Sequence, residues 1–283
     1  MTANRAASIR ARLKQHADAT KEDFNLVLTR YGTERLLYRL ACSEHATQFV
    51  LKGALLFALW YGQPHRPTRD ADLLGFGPDE PQALAAVFRS LCEMQADDGL
   101  WFNAASVRVG TIRQEARYGG VRIDLQATLD DARIALQVDV GFGDAVTPAP
   151  PTMPYPSLLR DVPTVPLRVY PKATVVAEKL HAVCLLGLTN SRMKDYFDLD
   201  LLLQDREVDD AELRSAVAAT FQRRQLPLPA TLPVGLSDGF AADPAKKLQW
   251  AAFLRKSRLA PVDFAAVVFR IRRRAANIGI PTG

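Results

Sequence analysis

The sequence predicts an α+β protein in which a core with β-strands is flanked by helices and followed by a helical C-terminal lobe. A pattern of alternating apolar and polar residues runs from Val121 to Val140. Apolar residues at helical spacing precede this pattern, at residues 23–44 and 81–95, and dominate the chain after Pro171. Strand patterns next to segments of helical period are typical of this fold class.

The alternating segment has the pattern of a β-hairpin. Its apolar positions are Val121, Ile123, Leu125, Ala127, Ile134, Leu136, Val138 and Val140. If the turn centres on residues 130–131, Arg122 faces Asp139 across the hairpin, and Asp124 faces Gln137. These four polar side chains then share one face of the hairpin, opposite the apolar face.

Composition divides the chain into four segments. Residues 1–48 predict N-terminal helices, 49–150 an α+β core, 151–170 a proline-rich linker and 171–283 a helical C-terminal lobe. Within the core, the short apolar run at 49–51 predicts a strand, and residues 54–61 predict a buried helix.

The composition also indicates the compartment. No stretch has the roughly 18 consecutive apolar residues that a membrane helix needs, and the N-terminus has no apolar signal-peptide core. The three cysteines are odd in number and lack C-x-x-C spacing, so neither a disulfide framework nor a zinc site is expected. We therefore expect a cytoplasmic protein with no membrane partner.

The net charge of +5 is unevenly distributed along the chain. Residues 245–283 contain nine basic residues and one acidic residue, and residues 1–40 contain eight basic and four acidic residues. Basic ends around an acidic centre suit a polyanionic partner. We expect the positive helices around Lys246–Lys247 and Arg270–Arg274 to contact the phosphate backbone of RNA. The alternative is that these charges serve only solubility.

Two aspartates separated by one residue, Asp70 and Asp72, form the sharpest local motif. On an extended strand their side chains project to the same face. Carboxylates this close repel each other unless a cation lies between them. Mg²⁺, or alternatively Mn²⁺, would supply that charge and would also bind nucleotide phosphates. The alternative is an exposed acidic loop.

Residues near this motif could bind phosphate. Gly53 lies at a predicted strand-to-helix turn, where a glycine lets phosphate approach the backbone closely, and Lys52 adds a cation. Thr68 and Arg69 directly precede the aspartates and could either contact phosphate or cap the turn.

A third carboxylate of the site would come from the hairpin. Asp124 and Asp139 lie on the same predicted face, and either could complete a two-metal site. The alternative for both is a solvated face of a one-sided sheet.

Several ordered motifs occur between Phe49 and Leu203, namely residues 52–54, 66–73, 138–144, 177–182 and 192–199. Together they resemble the motifs of the AbiEii/AbiGii nucleotidyltransferase toxins, which belong to the DNA-polymerase-β-like superfamily. The resemblance implies a polymerase-β-like nucleotidyltransferase core with a mixed sheet.

The resemblance also implies roles for the acidic residues of the core. Asp70 and Asp72 would hold Mg²⁺ against the triphosphate of an NTP. Asp139 would help to bind a second metal ion and lower the pKa of the attacking hydroxyl group.

In the C-terminal half, the resemblance implies that Lys179 neutralises triphosphate charge and that Asp195 positions the nucleotide or the acceptor. Arg192 is assigned to nucleotide binding on the same basis. From the residues alone, Lys179 could be a lysine that extends from an apolar helix to solvent, and Arg192 could form an ordinary ion pair with Asp195. We expect His181 to be a packed residue rather than a base.

The activity that this resemblance implies is transfer of a nucleoside monophosphate from an NTP to a tRNA 3′ end. The protein would be the toxin of a toxin–antitoxin pair, with a cognate antitoxin protein as its partner. Two alternatives stay open, namely nucleotidylation of a protein hydroxyl and a non-catalytic module that binds a partner.

Overall fold

A computed structural model describes residues 3–62, 64–112 and 119–282 of the chain. The chain forms two compact units, Met1–Gly143 with Pro151–Val169, and Asp144–Pro150 with Tyr170–Gly283. Within the described ranges, no helix combines the length and the apolar character needed to cross a bilayer.

The first unit combines four helices with all the named strands of the described residues. Its elements are α1 (Ala3–Thr20), α2 (Phe24–Cys42), β1 (Phe49–Lys52), α3 (Leu55–Tyr61), β2 (Asp70–Gly75), α4 (Pro81–Glu93), β3 (Leu100–Ile112), β4 (Gly120–Leu129), β5 (Ala132–Phe142), β6 (Thr152–Pro154) and β7 (Pro166–Arg168).

A five-stranded sheet in the order β1-β2-β5-β4-β3 forms the centre of this unit. Strand β2 pairs in parallel with β5, whereas the other neighbouring strands are antiparallel, so the predicted mixed sheet is confirmed. Helix α2 packs on the apolar face of the sheet, where a Cβ built on Gly32 would lie 3.1 Å from the Leu136 side chain. The apolar residues of the hairpin are buried beneath it.

The hairpin of β4 and β5 has the predicted register. Arg122 pairs with Asp139, and Asp124 pairs with Gln137. The turn lies at residues 130–131, where Asp130 has a positive φ of 55°.

The N-terminal helices and the proline-rich segment, which the composition separated from the core, lie within the first unit. Helix α2 does so because its buried face covers β5. In the proline-rich segment, β6 pairs with β7, and Val169 bridges to Leu51 of β1. Arg168 also donates a hydrogen bond of 2.6 Å to the carbonyl oxygen of Thr47.

Two arginines of α2 and one aspartate form a buried arginine cluster, which consists of Arg35, Arg39 and Asp98. The three side chains are between 0% and 2% exposed. Asp98 accepts hydrogen bonds from Nε of Arg35 at 3.1 Å and from Nη1 of Arg39 at 2.6 Å. Its second oxygen accepts from the backbone amide of Leu100. The cluster therefore ties α2 to the start of β3.

The second unit is helical, as predicted for the C-terminal lobe. Its helices are α5 (Lys172–Leu186), α6 (Met193–Gln204), α7 (Asp210–Arg223), α8 (Asp238–Ala242), α9 (Pro244–Lys256) and α10 (Phe264–Ala276). Helix α5 packs extensively against α7, and α6 packs against α10. An aromatic core that includes Tyr196, Phe240 and Phe264 joins α6, α8 and α10.

Candidate active site

One row of charged residues crosses four neighbouring strands of the first unit. Lys52 of β1 lies opposite Asp72 of β2, and Asp72 lies opposite Asp139 of β5. Asp139 in turn lies opposite Arg122 of β4. Residues paired directly across neighbouring strands project to the same face of a sheet. This polar row, Lys52–Asp72–Asp139–Arg122, therefore lines the face opposite α2.

A second row lies two residues away along β2 and β5. It contains Asp70, Gln137 and Asp124, on the same face as the polar row. The structure thus brings together Asp70, Asp72 and Asp139 on two adjacent strands. Asp124 lies one strand further away and is exposed.

Gly53 and Asp72 are in direct contact. Gly53 has a φ of +76°, a conformation that residues with a side chain adopt rarely, and a Cβ built there would overlap the Asp72 carboxylate. The side chain of Lys52 extends towards β5, where its Nζ would lie 3.5 Å from a Cβ built on Gly141. The absence of side chains at two glycines therefore makes room for the charged groups of the row.

Arg122 holds the third carboxylate through two hydrogen bonds. Its Nε donates to Oδ1 of Asp139 at 2.9 Å, and its Nη2 donates to Oδ2 at 2.8 Å. These bonds raise the pKa of Arg122 against the opposing effect of burial, and the charges of Asp139, Asp70 and Asp124 raise it further. The side chain of Arg122 is 43% exposed, and that of Asp139 is 22% exposed.

The carboxylates of this face are chemically suited to a hard divalent cation, because Mg²⁺ prefers oxygen ligands. In the part of the chain that the structure describes, no group of three or more His, Cys, Asp or Glu side chains is arranged to hold a metal ion. The paired state of Asp139 accords with this finding. The face thus offers carboxylate oxygens of Asp70, Asp72 and Asp139 on two paired strands, and Arg122 binds the carboxylate of Asp139.

Thr68 and Arg69 occupy different environments before β2. The hydroxyl group of Thr68 donates to the carbonyl oxygen of Asp70 at 3.4 Å. Arg69 is exposed and lines a cleft beside Asp70.

In the second unit, Lys179 of α5 lies between two buried aspartates of α6. Its Nζ is 2.8 Å from Oδ1 of Asp195 and 2.9 Å from Oδ2 of Asp198. Nε of Arg192 donates to the other oxygen of Asp195 at 2.6 Å. The ion pair between residues 192 and 195 that the spacing allows is therefore present. Lys179 is 14% exposed and paired, so it does not simply extend into solvent.

The charge state of Asp195 follows from its neighbours. Burial alone would raise its pKa, but the positive charges of Lys179 and Arg192 outweigh burial and lower the pKa. The side chain of Asp195 is fully buried, whereas that of Arg192 is 50% exposed. Asp195 can therefore act on a ligand only through the cations that it holds.

A second ion-pair network in this unit was not predicted. Arg224 lies 2.8 Å from Asp144 and 3.2 Å from Glu178, and the hydroxyl group of Tyr170 donates to Glu178 at 3.3 Å. The only sequence signal was that residues 144 and 178 fall within motifs of the resemblance. The network fixes the turn of α5 that also carries Lys179.

His181 is a packed residue, as expected. It is 3% exposed and lies edge-on against Phe221. Burial, together with the positive charge of Arg224, lowers its pKa to about 4. The imidazole is therefore neutral near pH 7.

The basic residues near the C-terminus correct one expectation. Lys246 is only 8% exposed, and its Nζ donates to the carbonyl oxygen of Asn190, so it cannot contact RNA in this state. Helix α10 keeps three arginines in ion pairs, Arg270 with Asp200, Arg272 with Asp238 and Arg274 with Asp210. The exposed basic residues of this region are Lys247, Arg255, Lys256, Arg258 and Arg273.

Comparison with known proteins identifies the family. The family model described as the nucleotidyl transferase AbiEii toxin of type IV toxin–antitoxin systems matches residues 35–270. The chain belongs to the AbiEii family. The resemblance predicted from the ordered motifs is thereby confirmed, and an AbiEii toxin implies a cognate antitoxin.

Two solved structures support the fold of this AbiEii chain. They are a candidate nucleotidyltransferase from H. pylori and the protein JHP933 from Helicobacter pylori. Each aligns with a TM-score of 0.51 and 16% sequence identity over 89% of this chain, covering 93% and 91% of the two proteins. No curated protein sequence matches the chain.

Proposed function

We propose that the protein transfers a nucleoside monophosphate from an NTP to the 3′ end of an RNA, with tRNA as the RNA class. The observation that carries this proposal is the register that places Asp72 beside Asp139, with Asp70 on the same face. Family membership supports the class of reaction, nucleotidyl transfer.

The proposed transfer is a nucleophilic substitution at the α-phosphorus of the NTP. The acceptor hydroxyl oxygen forms a bond to the α-phosphorus, the bond to the bridging oxygen of the β-phosphate breaks, and pyrophosphate leaves. The hydroxyl proton passes to water. In such reactions the protein contributes mainly by positioning the groups and neutralising charge.

The three carboxylates Asp70, Asp72 and Asp139 would hold Mg²⁺, or alternatively Mn²⁺. When bound, the metal would neutralise phosphate charge and favour ionisation of the acceptor hydroxyl. Arg122 competes for Asp139, so we propose that its two hydrogen bonds open when the cation binds. Lys52, whose Nζ lies near Gly141, would supply positive charge to the phosphates of the NTP.

For the second unit, we propose that Lys179 contributes positive charge to the binding of the triphosphate. Asp195 is buried, and it would orient Lys179 and Arg192 rather than touch a ligand. Arg192, which is half exposed, would contact the nucleotide.

Family membership also supports a proposal about the biological setting. We propose that the protein acts in the cytoplasm as a toxin that modifies tRNA and that its cognate antitoxin protein counteracts this activity.

Labelling experiments test the proposal. Purified protein is incubated with Mg²⁺ and each of four α-³²P-labelled NTPs, with total tRNA in one reaction and a protein extract in another. We expect label at tRNA 3′ ends, lost by at least about 100-fold in Asp72→Asn because catalytic electrostatics contributes on this scale. The matched control is Asp79→Asn, which makes the same change at an exposed aspartate just after β2.

The outcomes separate the alternatives. Label in protein alone would replace the RNA acceptor with a protein hydroxyl. The absence of both label and Mg²⁺-dependent NTP binding in the wild-type protein would indicate a non-catalytic module. Full activity of Asp72→Asn would show that the site assignment is wrong.

A further inference from the structure

A cleft of about 330 Å³ opens beside Asp70 at the edge of the sheet in the first unit. It exists because β2 begins at Asp70, opposite Gln137, whereas β5 begins five residues earlier, at Ala132. The start of β5 therefore lacks β2 beside it. Asn25, Leu28 and Thr29 of α2 form the facing wall. We call this space the edge cleft.

Two arginines give the edge cleft its positive groups. Arg69 and Arg133 both line it and are exposed. Within the described part of the chain, neither guanidinium group forms a hydrogen bond or ion pair, in contrast to Arg122. A planar guanidinium group with all its donors available matches the oxygens of a phosphodiester.

The remaining lining includes the carboxylates of Asp70 and Asp124 and offers both polar and apolar contacts. The Asn25 amide and the Thr29 hydroxyl group lie on one wall, and Gln137 lies on the other. Leu28 and Leu136 add apolar surface. Such a mixture can hydrogen-bond to ribose hydroxyls while a base packs against the aliphatic side chains.

The position of the cleft distinguishes the acceptor from the NTP. Strand β2 carries Asp70 and Asp72 between two neighbours, β1 and β5. Nζ of Lys52, the proposed contact for the triphosphate, lies near Gly141 towards the end of β5, whereas residues 133–137 at the start of β5 line the edge cleft. A nucleotide in the cleft would thus approach the carboxylates from the side opposite Lys52.

We propose that the edge cleft binds the 3′-terminal nucleotide of the acceptor RNA, with Arg69 and Arg133 contacting the phosphodiester groups at this end of the RNA. This inference rests on the proposed function and deepens it. A volume near the lower end of the roughly 300–1,000 Å³ range of small-ligand pockets suits a single nucleotide. It is too small for a helix, whose diameter is about 10 Å. The unpaired guanidinium groups favour RNA over a protein acceptor.

The test compares three variants with the wild-type protein. Arg133→Glu reverses one charge of the cleft, Arg133→Lys retains it, and Arg89→Glu makes the same reversal on an exposed arginine of α4. Fluorescence anisotropy follows the binding of a 5′-labelled tRNA with a free 3′ hydroxyl group at several salt concentrations. Labelled-NTP transfer gives KM for the tRNA and for the NTP.

We expect Arg133→Glu to weaken tRNA binding and raise KM for tRNA by about tenfold, with a shallower salt dependence. KM for the NTP should stay unchanged. Arg133→Lys should retain most of the affinity, and Arg89→Glu should behave as the wild type.

Equal losses in Arg133→Glu and Arg89→Glu would overturn the inference, because they would reveal only general charge attraction. So would unchanged tRNA binding in Arg133→Glu, or a wild-type protein that labels protein and not RNA. A wild-type protein that binds tRNA through Arg133 but labels neither acceptor would instead contradict the proposed function and leave the cleft assignment standing.

Discussion

Two aspartates of the first unit, Asp98 and Asp139, are each bound by arginine and differ mainly in exposure. Asp98 is fully buried and is held by two buried arginines of α2. Asp139 is 22% exposed and is held by Arg122, which is 43% exposed. In the interior, removing one partner leaves a charge without solvation, so the buried arginine cluster is locked. Near the surface, water can replace either partner at little cost.

This difference separates a structural ion pair from one that can exchange partners. Asp98 satisfies two guanidinium groups and a backbone amide at once, so its role is to fix α2 against β3. Asp139 has one side-chain partner among the described residues and lies beside Asp72. A cation could therefore displace Arg122 without leaving a buried charge unpaired, because water can solvate the released guanidinium group.

The largest effect is expected at Asp98. Asp98→Ala would leave Arg35 and Arg39 buried without their carboxylate, and we expect it to lower the free energy of unfolding by about 3–5 kcal/mol. Asp139→Ala should change it by less than about 1 kcal/mol, because the pair that it removes is partly exposed. Urea unfolding of both variants measures the two values. Equal losses would remove the distinction between the two sites.

His181 extends the comparison to a buried group whose Nε2 has no hydrogen-bond partner among the described residues. Its pKa is about 4 in the folded protein against 6.5 for an ordinary histidine, so the unfolded chain binds the proton more tightly. Stability should therefore fall as pH decreases from 6.5 towards 4. Between pH 7 and pH 5 the expected loss is about 2 kcal/mol.

The measurement for His181 is the free energy of unfolding at pH 7 and pH 5. His181→Gln should remove this part of the pH dependence, because the variant has no imidazole to protonate. His45→Gln, which changes a partly exposed histidine, is the control and should leave the dependence as it is. An unchanged pH dependence in His181→Gln would show that the imidazole is hydrated in the folded state.

The smallest effect is expected at Arg122. Arg122→Gln removes the guanidinium group that competes for Asp139, so the Mg²⁺ concentration for half-maximal nucleotide binding should fall by up to about fivefold. Arg108→Gln, which makes the same change at an exposed arginine of β3, should leave this Mg²⁺ concentration unchanged. A higher Mg²⁺ requirement in Arg122→Gln would show that Arg122 supports Asp139 in binding the cation.

The sequence predicts the local parts of the sheet better than its long-range pairing. The hairpin register follows from strict alternation around a short turn, and the structure confirms it. Strand β3 was missed because its pairing shifts between Asn103 and Arg108, which places the buried Phe102 and Val107 out of alternation. A bulge of this kind removes the period on which strand prediction depends.

The candidate site shows the same limit. The residues Gly53, Asp72 and Asp139 each stand out in the sequence, but their contacts depend on how β1, β2 and β5 align. Such alignments join segments far apart in the chain, and the packing of the whole sheet sets them. The buried position of Lys246 was missed for a related reason, because its partner, Asn190, lies in the loop before α6.

The register between β2 and β5 decides whether the aspartates of the two strands lie on the same face of the sheet. Successive side chains of a strand point to opposite sides, so a slip of one residue would put Val138 or Val140 next to Asp72 and turn Asp139 towards α2. The loop between β2 and α4 can change length without this penalty, but β5 cannot gain or lose a single residue before Asp139. In laboratory evolution, variants with altered loops should therefore survive, whereas those with one residue added to this strand should lose function in one step.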